Sequence, residues 1–157
     1  MAGRLFGLSL RACALTALLA GFVLAGCDKR TESAANTTEL PLVGGLAVEA
    51  RLEEIPGPFP ANDLYDYVYV MKYRVVKVLR GTYDDSIILV GHYNPRLARS
   101  EITGTMDSLV DGSLTSFNPG DVHRLVLTRL DSVWTQAVED DYFRDGRARY
   151  FARWVSK

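Results

Sequence analysis

The sequence predicts one small domain of mainly β structure, with five to seven strands and little helix. Residues 65–80 are the strongest observation, because tyrosine and valine dominate them and favour a pleated, half-buried backbone. Prolines, glycines and paired aspartates divide the rest of the chain into short apolar segments of strand length. The length of 157 residues suits one domain with an appendage.

Composition and charge exclude several classes of protein. With 48% hydrophobic and 24% charged residues, the chain is not a disordered chain, a coiled coil or a collagen-like fibre. Its net charge of −1 provides no basic surface for nucleic acid phosphates. Without residues 1–26, which hold Arg4, Arg11 and no acid, 16 basic and 19 acidic residues remain. We therefore expect no nucleic acid partner and no polybasic membrane patch.

The first 26 residues have the features of a secretory signal peptide. Arg4 and Arg11 supply positive charge, and residues 12–25 are apolar except for Thr16. This apolar run is shorter than the roughly 20 residues that a transmembrane helix needs. The alternatives are an ordinary signal peptide with a chance cysteine, or an anchor helix that is retained.

The leader ends in Leu-Ala-Gly-Cys at residues 24–27, which resembles the lipobox of bacterial lipoproteins. The resemblance implies cleavage between Gly26 and Cys27, a diacylglyceryl thioether on Cys27 and an N-linked acyl chain such as palmitate. Two or three acyl chains give stable anchoring. Asp28 resembles the residue that keeps many Gram-negative lipoproteins in the inner membrane. The expected location is the periplasmic side of a cell membrane, with the inner membrane favoured over the outer.

Cysteine use and composition divide the chain into three parts. Cys13 lies in the leader, so Cys27 is the only cysteine of the mature chain and no intramolecular disulfide can form. Residues 27–43 hold the lipidated cysteine and a polar, aperiodic stretch, which we interpret as a flexible tether. Residues 44–157 form the predicted β domain.

The predicted domain begins with a strand at residues 46–55, where charged residues interrupt the apolar ones. Three prolines in residues 56–60 predict an extended loop. In the strand at 65–80 the apolar face changes parity after Tyr73, so we predict a β-bulge near Val75. Long, bulged strands allow small barrels to turn corners.

The rest of the chain predicts a hairpin, a long connection and two C-terminal segments. Gly81 ends the long strand, and paired aspartates form the turn to the next one. Residues 94–120 are the connection, with a short helix or irregular strand at 106–114. The dipeptide Asp145-Gly146 predicts a second hairpin. The predicted strand segments after Gly81 are residues 86–93, 123–130, 134–138, 142–143 and 148–155.

Three segments resemble the strands of small secreted OB-like and netrin-like β domains: YRVVKVLRG at 73–81, IILV at 87–90 and FNPGDVHRLVL at 117–127. Over residues 46–157 the chain is more similar to poorly characterised bacterial envelope domains, in which such a strand follows a proline loop. Some of those domains occur near machinery for exopolysaccharide O-acetylation. The resemblance implies an OB-like β-barrel in the envelope, and it assigns no catalytic residue.

Two surfaces are candidates for binding. Four tyrosines fall on one face of a regular strand, and we interpret this tyrosine stripe as a ligand or partner face. The alternative is that these rings fill the core. Residues 139–143 are acidic and aromatic and form a candidate docking edge, with a solvated turn as the alternative. The tyrosine stripe consists of Tyr65, Tyr67, Tyr69 and Tyr73.

No motif predicts catalysis, a metal site or a cofactor. The chain has no nucleophile elbow, no phosphate-binding glycine loop and no zinc spacing. Its two histidines, His92 and His123, lie at strand ends and can meet across a sheet, but we interpret them as ordinary strand-edge residues. A Ser–His–Asp arrangement with His123 beside Asp121 is the hydrolase alternative. Residues 141–146 resemble a calcium loop, but Phe143 occupies a ligand position, so a turn explains them better.

We therefore expect a membrane-anchored bacterial lipoprotein that acts as a non-enzymatic binding or adaptor module, with an envelope protein or a glycan as its partner. An accessory subunit of envelope polysaccharide modification or export is the alternative, and it depends on the resemblance alone. A hydrolase that lacks a recognisable motif is the third hypothesis.

Overall fold

The computed structural model describes residues 39–157. Within them, seven β-strands join one sheet and the helical content is limited to three short 3-10 turns. The predicted mainly β class is therefore confirmed. The predicted leader at 1–26, the lipidated Cys27 and the sorting residue Asp28 lie outside the described residues and stay predictions.

The long strands form where β-branched and aromatic residues dominate, and they match the predicted segments closely. Among the long strands, the one at 65–80 differs most, because its ladder begins at Val68. The predicted short strands at 134–138 and 142–143 are wrong, since only Val138 of these residues lies in a strand. The 3-10 turns span Arg99–Glu101, Gly104–Met106 and Leu130–Ser132. The strands are β1 (Leu46–Glu54), β2 (Val68–Arg80), β3 (Ile87–Tyr93), β4 (Asp111–Gly112), β5 (Val122–Arg129), β6 (Val138–Glu139) and β7 (Arg149–Ser156).

The strand pairings return to their starting point. β1 pairs antiparallel with both β2 and β5. β2 pairs antiparallel with β3, and β5 pairs antiparallel with β7. β3 and β7 are parallel, which completes the order β1-β2-β3-β7-β5-β1. The two-residue strands β6 and β4 add parallel pairs to β2 and β7.

The predicted β-bulge is confirmed. Lys77 lies opposite Glu49 and Val75 lies opposite Ala50, so Val76 is an extra residue on β2. The Val76 side chain is 54% exposed. An extra residue restores the inward parity of the residues after it, which lets Val75 and Val78 both pack against the core.

The core lies on the inner side of this ring of strands. Residues that alternate along β1, β2 and β5 are fully or almost fully buried, which removes their apolar surface from water. A second cluster lies beneath the connection between β3 and β5. Its buried members are Val68, Tyr93, Ile102, Met106, Val110, Leu130, Trp134 and Phe151.

The predicted hairpin at Asp145-Gly146 is wrong. β7 pairs with β3, β4 and β5, while β6 pairs only with β2, so the segment before this turn is not the partner of β7. The segment instead folds around the Arg149 side chain, whose donors bind its carbonyl and carboxylate oxygens. The short helix or irregular strand predicted at 106–114 is also only partly formed. This segment contains Met106, which ends a 3-10 turn, and the two-residue strand β4.

Candidate functional site

The interpretation of the tyrosine stripe as a partner face is wrong for three of its four residues. Tyr67 and Tyr73 are 0% exposed and Tyr69 is 6% exposed, because β2 turns this face toward the core. Buried rings present no surface to a partner. Tyr65 precedes β2 and keeps 46% of its surface exposed.

Two of the buried tyrosines hold the proline loop, residues 55–67, against the sheet. The Tyr67 hydroxyl donates a hydrogen bond to the Pro60 carbonyl at 2.7 Å, and the Tyr69 hydroxyl donates to the Gly57 carbonyl at 3.2 Å. The Phe59 ring meets the edge of the Tyr69 ring, with centroids 5.1 Å apart. Burial raises the pKa of Tyr67 to about 12, so its hydroxyl keeps the donated proton at ordinary pH.

A groove of about 140 Å³ lies between the proline loop and residues 138–142. The parallel pairing of β6 with β2 brings Glu139 opposite Tyr69. The Tyr65 hydroxyl donates to Glu139 Oε1 at 3.0 Å, so the predicted tyrosine stripe and the predicted docking edge meet here. The residues that line the groove are Pro56, Tyr69, Glu139, Asp141 and Tyr142.

The rim of the groove combines exposed apolar surface with carboxylates that form no ion pair within residues 39–157. Tyr142 is 56% exposed, and its ring lies edge-on to Phe143 with centroids 5.1 Å apart. Glu139 and Asp141 form no ion pair within residues 39–157. Glu54 is paired with Lys72. The hydrogen bond from Lys72, and to a smaller extent the one from Tyr142, lowers the pKa of Glu54. Other exposed apolar residues of these segments are Leu64 and Val138.

Arg149 positions the outer wall of the groove, and the sequence analysis missed it. Its Nε donates to Asp140 Oδ2 at 2.8 Å, and its Nη1 donates to the Asp145 carbonyl at 2.7 Å. Its Nη2 donates to the Phe143 carbonyl, beside Tyr142. The planar fork of arginine suits this set of acceptors. The cluster of three arginines in RDGRARY was the available signal, but it identifies no partner.

We expect Arg149→Lys to lower the free energy of unfolding by about 2 kcal/mol, because lysine cannot reproduce several charged hydrogen bonds in one plane. Hydrogen exchange should become faster in residues 140–147. Arg147→Lys is the matched control, since Arg147 also binds Asp145 but is exposed. Equal effects of the two variants would contradict the role given to Arg149. Urea unfolding and amide exchange measure both.

Comparison with known proteins assigns this chain to no family. No protein-family model, curated protein or solved structure matches the chain. In residues 39–157, no three His, Cys, Asp or Glu side chains gather as metal ligands. Helices with the length and apolarity for membrane crossing are likewise absent from this part of the chain. Function is therefore inferred from the side chains themselves.

A second unusual feature is a buried cluster of His92, Tyr73 and His123. The Tyr73 hydroxyl lies 3.0 Å from His92 Nε2 and 3.2 Å from His123 Nδ1, and all three side chains are 0% exposed. The two histidines are therefore not ordinary strand-edge residues: both are buried and meet at Tyr73. Within residues 39–157 no serine hydroxyl bonds either imidazole, so the proposed Ser–His–Asp arrangement at His123 is not formed.

Burial keeps all three groups of this cluster uncharged at neutral pH. It lowers the pKa of His92 well below the ordinary value, and the charge of Arg99 lowers it further. Burial also lowers the pKa of His123 to about 4 and raises the pKa of Tyr73 well above its usual range. The hydroxyl can then donate to one neutral ring and accept from the other.

Proposed function

We propose that this protein is a lipid-anchored, non-enzymatic binding module of the bacterial cell envelope. The anchor is the proposed thioether on Cys27, and the ligand site is the groove between the proline loop and residues 138–142. The hydrogen bond between Tyr65 and Glu139 is the observation that carries the proposal, because it joins two distant segments into one exposed aromatic and acidic surface.

We further propose that the ring of paired strands is an OB-like barrel. The order β1-β2-β3-β7-β5, with β3 parallel to β7, supports this assignment. Barrels of this kind bind ligands with the loops after their first and fourth long strands. The corresponding loops here are residues 55–67 and 130–148, which are the two segments that border the groove.

The chemistry of the groove indicates an envelope protein or a glycan as the ligand. The Tyr142 ring offers a flat apolar face, and tyrosine hydroxyls and carboxylates offer hydrogen bonds. Glu139 and Asp141 disfavour the phosphates of nucleic acids. A lipid anchor would keep the module at one surface and raise its effective concentration there.

Crosslinking tests this function. The tagged full-length protein is crosslinked in envelopes, and the captured protein or glycan is then identified. We expect a partner that is recovered with the wild-type chain and is reduced at least fivefold with the double variant D141N/Y142A. Both side chains are exposed, so this variant should fold normally.

Two controls make the result specific. Val76→Ala removes an exposed apolar side chain on the bulge, away from the groove, and should keep the partner. Cys27→Ser removes the proposed anchor and should reduce recovery through lost localisation. A partner retained by the D141N/Y142A variant, or no partner above the Cys27→Ser form, would contradict the proposed function.

A further inference from the structure

We propose that the groove is gated by pH: protonation of the His92–Tyr73–His123 cluster releases Phe117, and with it the proline loop that forms one wall of the groove. This inference depends on the proposed function only in naming the groove as the site that opens. The opening itself is a property of the chain and can be measured without a ligand.

A proton added to either histidine of the cluster would find no hydrogen-bond acceptor within residues 39–157. Each imidazole directs one ring nitrogen to the Tyr73 hydroxyl, while His92 Nδ1 and His123 Nε2 have no hydrogen-bond partner among residues 39–157. Protonation of either ring gives it two N–H donors. One of them would then be a buried donor on a charged ring without an acceptor, which strongly favours any conformation that admits water.

The charged groups around the cluster do not compensate for this proton. His92 of β3 lies beside Tyr73 of β2 and faces two further groups, His123 of β5 and Arg99 of the connection. Arg99 and His123 both disfavour a positive charge on His92. Asp121 favours a charge on His123, but Lys157 opposes it and pairs with Asp121 at 2.8 Å. Arg99 donates through Nη1 and Nη2 to the carbonyls of residues 93, 94 and 97, and its buried Nε has no partner within residues 39–157.

Phe117 joins the cluster to the proline loop. Its ring centroid lies 4.5 Å from that of His92 and 5.9 Å from that of His123. The Phe59 ring lies 6.3 Å from Phe117 and 5.1 Å from Tyr69, which lines the groove. Phe117 and Phe59 both lie outside strands, so they can move without breaking a ladder of β hydrogen bonds.

The sign of the pH effect follows from the pKa difference between the two states. In the open state the histidines regain ordinary pKa values near 6.5, whereas in the closed state the pKa of His123 is about 4. Each histidine therefore raises the opening equilibrium about tenfold per pH unit below roughly 6.5, until the closed-state pKa is reached. Two histidines raise it roughly 1,000-fold between pH 7 and pH 5.

Amide exchange of the full-length chain at pH 7 and pH 5, corrected for intrinsic exchange rates, tests this inference. We expect protection to fall by two to three orders of magnitude, roughly, at the hydrogen-bonded amides of Tyr67, at the end of the proline loop, and of Gly120 and Asp121, while β5 and β7 stay protected. The double variant H92Q/H123N should lose this response. It keeps a polar atom near each position that contacts Tyr73, but neither side chain titrates.

A second variant keeps the test decisive if H92Q/H123N does not fold. Phe59→Leu leaves the cluster intact but removes the ring that contacts Phe117. The Gly120 and Asp121 amides should therefore still open in acid, while the Tyr67 amide responds at least tenfold less. Three outcomes would overturn the inference: equal loss of protection in every strand, no change between the two pH values, or an unchanged response of the Tyr67 amide in Phe59→Leu. Loss of partner capture in D141N/Y142A with no acid opening would support the proposed function and refute only the gate.

Discussion

Replacement of Gly112 by alanine is expected to lower the free energy of unfolding by about 4 kcal/mol, or to prevent folding. Gly112 has φ +130°, which L-residues with a side chain rarely adopt, and it pairs with Val155 of β7. A Cβ atom at this position would overlap the backbone carbonyl of Val155. Because the obstacle is backbone in the sheet, a side-chain rotation cannot relieve it. Urea unfolding measures the effect.

Gly104→Ala and Gly120→Ala are the matched controls for this prediction. Both glycines have positive φ, but a Cβ atom at either meets nothing within 4 Å. They test backbone strain without overlap, and we expect each to lower the free energy of unfolding by about 1 kcal/mol. A Gly112→Ala protein as stable as these controls would show that β4 does not approach β7 this closely.

Tyr73→Phe is expected to lower the free energy of unfolding by about 3 kcal/mol. The substitution removes one hydroxyl and leaves the ring, yet it takes away the hydrogen-bond partner of both His92 and His123. Each buried imidazole would then have a second nitrogen without a partner, at about 1–3 kcal/mol for each such group. The same urea titration at pH 7.5, where both histidines are neutral, isolates this hydrogen-bond effect from protonation.

Tyr83→Phe is the control for Tyr73→Phe. The Tyr83 hydroxyl donates only to the Ile87 carbonyl, at 2.6 Å, and the side chain is partly exposed, so we expect a loss of about 1 kcal/mol. If Tyr73→Phe costs no more than this, the hydroxyl does not bridge the two histidines. In that case the basis for gating by pH would also be lost.

Residue parity predicted much of the fold, because alternation along a strand decides which side chains face the core. The change of apolar parity after Tyr73 correctly predicted the bulge near Val75. The same alternation could have placed the histidines inside. His92 follows Ile88 and Val90 at spacing two, and His123 precedes Leu125 and Leu127 in the same way.

The groove could not be predicted in the same way. It depends on the pairing of β6 with β2, in which Glu139 meets Tyr69 across a long separation in sequence, and β6 has only two residues. A strand this short carries no periodic signal. The turn dipeptide at 145–146 favoured a local hairpin, but the hydrogen bonds of Arg149 to residues 140–147 stabilise a different loop.

The direction of β1 places the entry of the chain and the groove at opposite ends, or poles, of the domain. The chain reaches β1 at Leu46, beside Gly81 at the end of β2, whereas the groove lies beyond Glu54 and beside the start of β2. Nine residues of strand separate these poles by about 30 Å. The chain therefore enters the described domain at the pole opposite the groove. Any attachment made through the residues that precede Leu46 would leave the groove at the free end of the strands, accessible to a partner without displacing the entering chain.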